Sequence, residues 1–572
     1  AVLPGWFAPM AAPLPPEPAA LRAVWAELGR GEPIAPADLE VIHALWPLLA
    51  PAEAIMETGG DLRLQLDPQT RLNGYGASHR PRPWAITYAS TTASSISERG
   101  YAAADAARRA TTTAMLRRGD RRPIAALLSA VRTRLMRIYA VPLAGAVVLA
   151  ASGTDTELLA LALAHAAAPA RPVRSILIAP EETGSGVPMA ARGRHFAIAT
   201  ARGRAVAREA PVAGFRADTA LAAIRLRDAA GAVRPLAAIE REIEQEVAAG
   251  IAAGQRVALH ALDLSKTGLL APRPALLRSL RARFGSAFDI IVDACQLRLS
   301  RASIRSYLDL EAIVLITGSK FLTGPPFSGA LLLPAAIAAR LQQGRLPEGL
   351  DAYFGREEFP ADCPAAACLP AFGNYGLGLR WIAALAELGA LLRISEQRCA
   401  AIIAGFGKTV RAAVAADPAI RLLETELPER GPDEQSWERL PSVFPFAVRA
   451  PFAQRWLAPD EARAVYRWLN ADLSNALPAA PLALAARICH IGQPVTLPQW
   501  DGLPGSMGVL RVACGARLIA GEPSHRGLSP AERLAREFAD VRTVFEKLRL
   551  ILDNWHTLAA ADPKPHYRSR AL

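Results

Sequence analysis

Phe288-Asp-Ile-Ile-Val-Asp-Ala-Cys-Gln296 is the stretch that decides the fold. Ile290–Val292 is apolar on both faces of the extended chain, and the run ends in Asp293 with Gln296 just beyond. A strand with no polar face has to be covered on both sides, as in a parallel sheet sandwiched by helices. The same texture recurs at Ala146–Ala150, Val173–Ile178, Val257–Leu262 and Ile313–Ile316. Helical periodicity separates these runs at 155–167, 236–252 and 274–284, and two further helices are expected before them at 99–117 and 122–138. A last strand, Gly329–Leu333, follows a Gly-Pro turn. Alternating apolar strands and helices predict an α/β domain with a mainly parallel sheet. Such sheets present ligands at the carboxyl edge of their strands.

Outward from this core the texture changes. Residues 1–20 form a proline-rich lead, short helical patterns cover 18–29 and 36–48, and 71–95 is rich in Gly, Pro, Ser and Thr and reads as loop. Past 345 the pattern is α+β: a long helical region at 376–415, loop at 424–442, strands at 443–449 and 509–513, and helices at 459–472 and 529–552. The expected division is an N-terminal extension and arm over 1–95, a large α/β domain over 96–345 and a small C-terminal α+β domain over 346–572.

The 572 residues are just over half apolar and about a fifth charged, which is globular composition. The net charge is +12, yet the arginines are spread along the chain and interleaved with acids, so the pattern argues against a nucleic-acid binder. It fits a solvated surface or attraction for anionic ligands. Six cysteines without CxxC spacing suggest neither a disulfide framework nor a zinc site, and no metal is expected. The N-terminal residues lack the basic start of a secretory signal. The longest uncharged run, Ile138 to Thr154, is broken by Pro142, Gly145 and Gly153, so no membrane span is expected. The expected location is the cytoplasm.

Four segments carry candidate chemistry. Asp293 closes its strand at the ligand edge, where a carboxylate either pairs with a protonated ring nitrogen or simply caps the next element. Ile316-Thr-Gly-Ser-Lys-Phe-Leu-Thr-Gly-Pro-Pro-Phe-Ser-Gly-Ala330 places Lys320 on a turn after a buried strand. The chain has 5 lysines against 60 arginines, so a lysine here points to an amine that must lose its proton and bond a carbonyl carbon. Ala151-Ser-Gly-Thr-Asp-Thr-Glu157 joins a strand to a helix, either as a phosphate site at the helix N-terminus or as an ordinary cap. Gly508-Val-Leu-Arg-Val-Ala-Cys-Gly-Ala-Arg517 buries Arg511, which needs an anionic partner, from the substrate or from an internal salt bridge.

In this order the four segments resemble the class V aminotransferase family of fold-type-I enzymes dependent on pyridoxal 5'-phosphate (PLP), over roughly 140–335 and more loosely 485–520. That family includes cysteine desulfurases and kynureninase. The resemblance implies a seven-stranded-type sheet, PLP as cofactor and a homodimer. It implies that Lys320 carries PLP as a Schiff base and moves protons, that Asp293 pairs with the pyridine nitrogen, and that Gln296 bonds the phenolic oxygen. Gly153, Thr154 and Thr317 would hold the phosphate and Arg511 the substrate α-carboxylate. The loop His260-Ala-Leu-Asp-Leu-Ser-Lys-Thr-Gly-Leu269 matches one that reaches the active site, so Ser265 is expected to touch cofactor or substrate. Lys266 rivals Lys320 there but has no aspartate at the matching offset.

The sequence also departs from the family. Ser319 stands where many members have histidine before the lysine. The loop Pro180-Glu-Glu-Thr-Gly-Ser-Gly186 offers no ring to stack on the cofactor, leaving Glu182 or Thr183 above it. Desulfurases carry a cysteine in a motif like HCAQP; here His490-Ile-Gly-Gln-Pro494 places Ile491 there, with Cys489 two residues earlier, which disfavours a persulfide route. The expected function is an aminotransferase acting on an amino-acid-like substrate. The alternatives are a C–S or C–C lyase, with a decarboxylase disfavoured by Ser319, and a degenerate PLP-fold binding protein without catalysis. Tyr75 or Arg80 is expected to reach a partner's active site, or else to lie on a surface loop, and Asn374 and Arg380 to reach across the dimer.

Overall fold

The computed structural model describes residues 36–424, 428–430, 436–500 and 502–562. The proline-rich lead, the helical pattern at 18–29 and part of the loop at 424–442 lie outside the described residues. In chain order the strands are β1 (Ile86–Tyr88), β2 (Ala146–Ala150), β3 (Val173–Ile178), β4 (Ala220–Ile224), β5 (Arg256–Asp263), β6 (Leu270–Ala271) and β7 (Phe288–Asp293). They continue as β8 (Ile313–Thr317), β9 (Gly329–Leu333), β10 (Ile420–Leu422), β11 (Val443–Val448), β12 (Cys489–Pro498) and β13 (Ser506–Ala513).

The main sheet has the order β2-β9-β8-β7-β5-β3-β4, with β6 hanging on β5. β3, β4, β5, β7 and β8 pair in parallel, and β9 alone among the seven runs against its neighbours. Every residue of β2, β5, β8 and β9 is buried, which is why their sequences show no alternation. This is the mainly parallel α/β architecture that the apolar runs predict. The edge strand β4 escaped that reading: its Ala-Leu-Ala-Ala-Ile is half-buried and carries little β propensity.

Helices cover both faces. The helix Gly153–Ala167 is buried over ten consecutive residues, Asp155 to Ala164. One side packs on the sheet. The other is covered by Leu346, Leu350, Phe354, Phe359 and Leu369, from the segment after β9. Part of the chain's extra length therefore forms a second layer over this helix.

The second sheet has the order β1-β12-β13-β11-β10. It is antiparallel except where β1 joins in parallel, Ile86 beside Cys489 and Tyr88 beside Ile491. Residues 71–95, expected as loop, thus contribute an edge strand. The helix expected over 376–415 is two, Tyr375–Leu391 and Glu396–Ala415, because Ser395 accepts the Arg398 N–H and restarts the chain as an N-cap. Among the described residues no helix is long and apolar enough to cross a membrane.

Candidate active site

A cavity of about 210 Å³ opens at the carboxyl ends of β2, β7 and β8. Asp293 leaves the end of β7, while Thr317 ends β8 and the next turn delivers Ser319 and Lys320; all four line the cavity. Gly153 and Thr154 enter it from the start of the helix that follows β2. Gln296 and Arg511 complete the set. Seven of the expected site residues thus meet in one cavity although they span positions 153 to 511.

Ser265 is not among them. Its hydroxyl donates to Glu182 Oε2 at 2.7 Å and accepts the N–H groups of Thr267 and Leu269, each at 3.1 Å, so it is fully buried as a loop clamp. Its neighbour Lys266 lines the cavity instead.

The individual geometries differ. Asp293 Oδ1 accepts the Cys295 N–H at 3.1 Å, and the carboxylate makes no salt bridge among the described residues. No described group bonds the Lys320 ammonium. Gln296 Nε2 donates to Thr91 O at 3.3 Å, and among the described residues its second N–H stays available and its buried Oε1 has no partner. At the helix start Ser152 Oγ accepts the amides of Thr154 (3.2 Å) and Asp155 (3.3 Å), so the ordinary cap is present. The Thr154 hydroxyl has no partner among the described residues. Thr317 lines the same corner, but its hydroxyl donates to Cys295 O at 2.7 Å. A Cβ built on Gly153 would stand 2.7 Å from Cys295 Sγ, so only glycine fits there.

Arg511 is 2% exposed and has no carboxylate partner among the described residues, which removes the internal salt bridge as an explanation. Nε and Nη2 donate to Gln493 O at 2.8 and 2.5 Å, Nη2 also to Thr92 Oγ1 at 3.0 Å, and Nη1 to Lys266 O at 3.1 Å. One of its five N–H groups is left for a ligand. Burial pushes its guanidinium down to about 10. Burial also pushes the Lys266 amine down to about 8, helped by the neighbouring charges of Arg511 and Lys320.

Several lining residues have no sequence signal. Arg63 forms a bidentate pair with Asp61 (Nη2 to Oδ2 2.6 Å) and lays its guanidinium 5.2 Å from the Phe327 ring and 5.9 Å from the Tyr75 ring. Asp155, close to this pair, is pushed up to about 7 by burial, which favours its neutral form. Phe327 itself is held at φ 65°, a strained value for a non-glycine residue. Thr92 comes from the loop after β1, and Gln493 from β12 where its register with β13 shifts between Gly492 and Val495. Above the cavity both Glu182 and Thr183 line the wall. Glu182 is bound by Arg227 Nε at 2.5 Å and by the hydroxyls of Ser265 and Thr267.

Other expectations change. Tyr75 lines the cavity of its own chain. Arg80 pairs with Glu53. Asn374 caps the helix Tyr375–Leu391 and donates to Gly59 O at 3.1 Å, and Arg380 donates to four backbone carbonyls, those of Met56, Thr58, Gly59 and Phe327. Both hold segments together and do not line the cavity. Ile491 and Cys489 are fully buried on β12, and burial pushes the Cys489 thiol up to about 12, far from a reactive thiolate.

No protein-family model and no curated protein matches the chain. Solved structures similar to it include the tryptophan decarboxylase of Catharanthus roseus in complex with L-tryptophan, at 14% identity over 81% of this chain and 83% of that one, TM-score 0.45. The cysteine desulfurase CsdA of Escherichia coli is similar at 13% identity over 82% and 95%, TM-score 0.44. The 4-hydroxyphenylacetaldehyde synthase of Rhodiola rosea is similar at 11% identity over 82% and 85%, TM-score 0.44.

Proposed function

We propose that the chain is a PLP-dependent enzyme of fold type I that transaminates an amino-acid-like substrate. The observation that carries this reading is the meeting of Lys320 and Asp293, from the ends of adjacent strands β8 and β7, in one cavity, neither held by a salt bridge among the described residues. A structural lysine or aspartate at such a place is paired.

The residues present fit the cofactor. Gly153 keeps the helix start open where a Cβ would fill it, and the Thr154 hydroxyl is free to donate to a phosphate oxygen. Asp293 would accept from the pyridine nitrogen, and the second Nε2 hydrogen of Gln296 would serve the phenolic oxygen. Thr317 contributes only if its hydroxyl leaves Cys295 O. When bound, PLP supplies an electron sink for the substrate's α carbon. Lys320 holds the cofactor and moves the proton at that carbon. Arg511 offers its remaining N–H to the α-carboxylate. The proposal includes the division at 95 and 345 and a homodimeric assembly.

The test is the visible spectrum of purified protein, wild type beside Lys320→Ala, before and after borohydride. A yellow wild type whose band borohydride bleaches, with a colourless mutant, supports the reading. A protein that stays colourless after PLP is added overturns it. Keto-acid formation from amino donors then separates transamination from C–S or C–C cleavage.

A further inference from the structure

The charges along the cavity wall do not balance at one end. Four cationic side chains line it: Arg63, Lys266, Lys320 and Arg511. Two acids line it, Glu182 and Asp293. Arg63 is already neutralised by Asp61, and Glu182 by Arg227. The remaining acid, Asp293, faces three cations.

On the proposed reading Lys320 gives up its charge by bonding the cofactor, and Asp293 is matched by the ring nitrogen. Gly153 and Thr154 would hold the cofactor phosphate. Lys266 and Arg511 are then left without a matching anion among the described lining residues. They are direct neighbours: Arg511 Nη1 donates to Lys266 O at 3.1 Å, and the two charges act on one another. The Lys266 ammonium finds no hydrogen-bond partner among the described residues. Two adjacent like charges withdrawn from water are costly unless anions meet them. A single α-carboxylate supplies one negative charge, and Arg511 has one N–H left to receive it.

We propose that Lys266 and Arg511 form a two-cation pole that selects substrates with a second carboxylate, that is, acidic amino acids and the corresponding keto acids. This rests on the reading of the cavity as an amino-acid-handling site. Arg511 takes one carboxylate through its free N–H, and Lys266 takes the other as a mobile point charge on its four-carbon stem. Glu182 does not compete for Lys266, because its carboxylate is satisfied by Arg227, Ser265 and Thr267.

The test uses two probes of equal chain length, succinate and butyrate, titrated by calorimetry into the full chain with PLP added. Succinate is expected to bind about tenfold tighter than butyrate. Lys266→Met and Lys266→Gln are expected to bring succinate down to the butyrate level while leaving butyrate unchanged. Equal binding of both probes to the wild type overturns the proposal. So does an equal loss of both probes in the Lys266 variants, which would mean that lysine and arginine share one carboxylate. Mapping of the borohydride-reduced lysine by peptide mass is read in parallel. Label on Lys266 also overturns the two-cation pole, whereas absence of any label in a chain that still prefers succinate faults the cofactor reading alone. Far-ultraviolet circular dichroism of the Lys266 variants reports that they are folded, whether or not a bleachable band is present.

Discussion

Two lysines have similarly lowered amines and differ in everything else. Lys266 and Lys547 are both pushed down to about 8, desolvation being the first cause for each. Lys547 lies in the helix Pro530–Asp553 and is fully buried; its ammonium donates to Leu469 O (3.1 Å), Ala471 O (2.6 Å) and Arg487 O. It ties three chain segments together with all its hydrogens used. Lys266 stands in the cavity with none used among the described residues. The two ends of β7 repeat the contrast. Asp289 is gripped by Arg256 (Nη2 to Oδ1 2.6 Å) and Arg340 (2.7 Å). Asp293, four residues on, has no ion pair among the described residues and accepts the Cys295 N–H. In this fold Lys547 and Asp289 are buried with their partners present, whereas Lys266 and Asp293 are half-buried at the cavity with no ion pair among the described residues.

The contrast has measurable edges. Asp289→Ala is expected to cost about 3–5 kcal/mol in chemical denaturation, because Arg256 and Arg340 keep buried charges without their acid; Asp293→Ala should cost under about 1 kcal/mol while lowering turnover roughly 100-fold. Equal stability losses at the two positions would erase the distinction. Lys547→Met is expected to cost about 3 kcal/mol, since three backbone carbonyls lose their donor, whereas Lys266→Met should raise the stability of the unliganded chain at neutral pH, because it removes a charge held beside Arg511 and Lys320. Gly153→Ala should cost about 1–3 kcal/mol by driving a methyl into Cys295 Sγ and should weaken phosphate binding; adding Cys295→Ala is expected to return most of the stability, as a double-mutant cycle would show.

The smallest effect is in pH. An amine at about 8 in the folded chain and at its ordinary 10.5 when unfolded binds fewer protons when folded between those values. Stability of the unliganded chain therefore rises as pH climbs through that window. Removing Lys266 should flatten part of that rise and leave the part owed to Lys547. A profile unchanged in Lys266→Met would mean that the cavity lysine is not desolvated.

What the sequence disclosed follows the same physics. The strands β2, β3, β5, β7, β8 and β9 were legible because burial on both faces leaves an unbroken apolar run. β1 and β12 were not: β1 has three residues, and β12 contains Gly492 and Pro494 at a bulge, which read as loop. Lys320 and Asp293 stood out as polar residues closing apolar strands. Ser265 was expected to touch cofactor or substrate, but a small hydroxyl in such a loop serves equally well as a clamp for its own turn, and here the nearby Glu182 acid claims it. Arg63, within Leu62-Arg-Leu64, carries no local mark. Its role exists only once Phe327 and Tyr75 are beneath it.

The pairing of β1 with β12 also sets a timetable. Ile86 must wait for Cys489, about 400 residues later in synthesis. At ordinary translation speeds that interval is roughly 20–80 s. During it the strand edge at 86–88 and the cavity residues Arg63, Tyr75 and Thr92 around it have no partner sheet to join. The cavity is thus a product of chain completion: its walls at Thr92, Gln493 and Arg511 close only when the last sheet forms. A nascent chain cut short before β13 would hold Lys320 and Asp293 but not the arginine end of the pocket. On the proposed reading, cofactor retention should then appear late, as a marker that the two ends of the polypeptide have met.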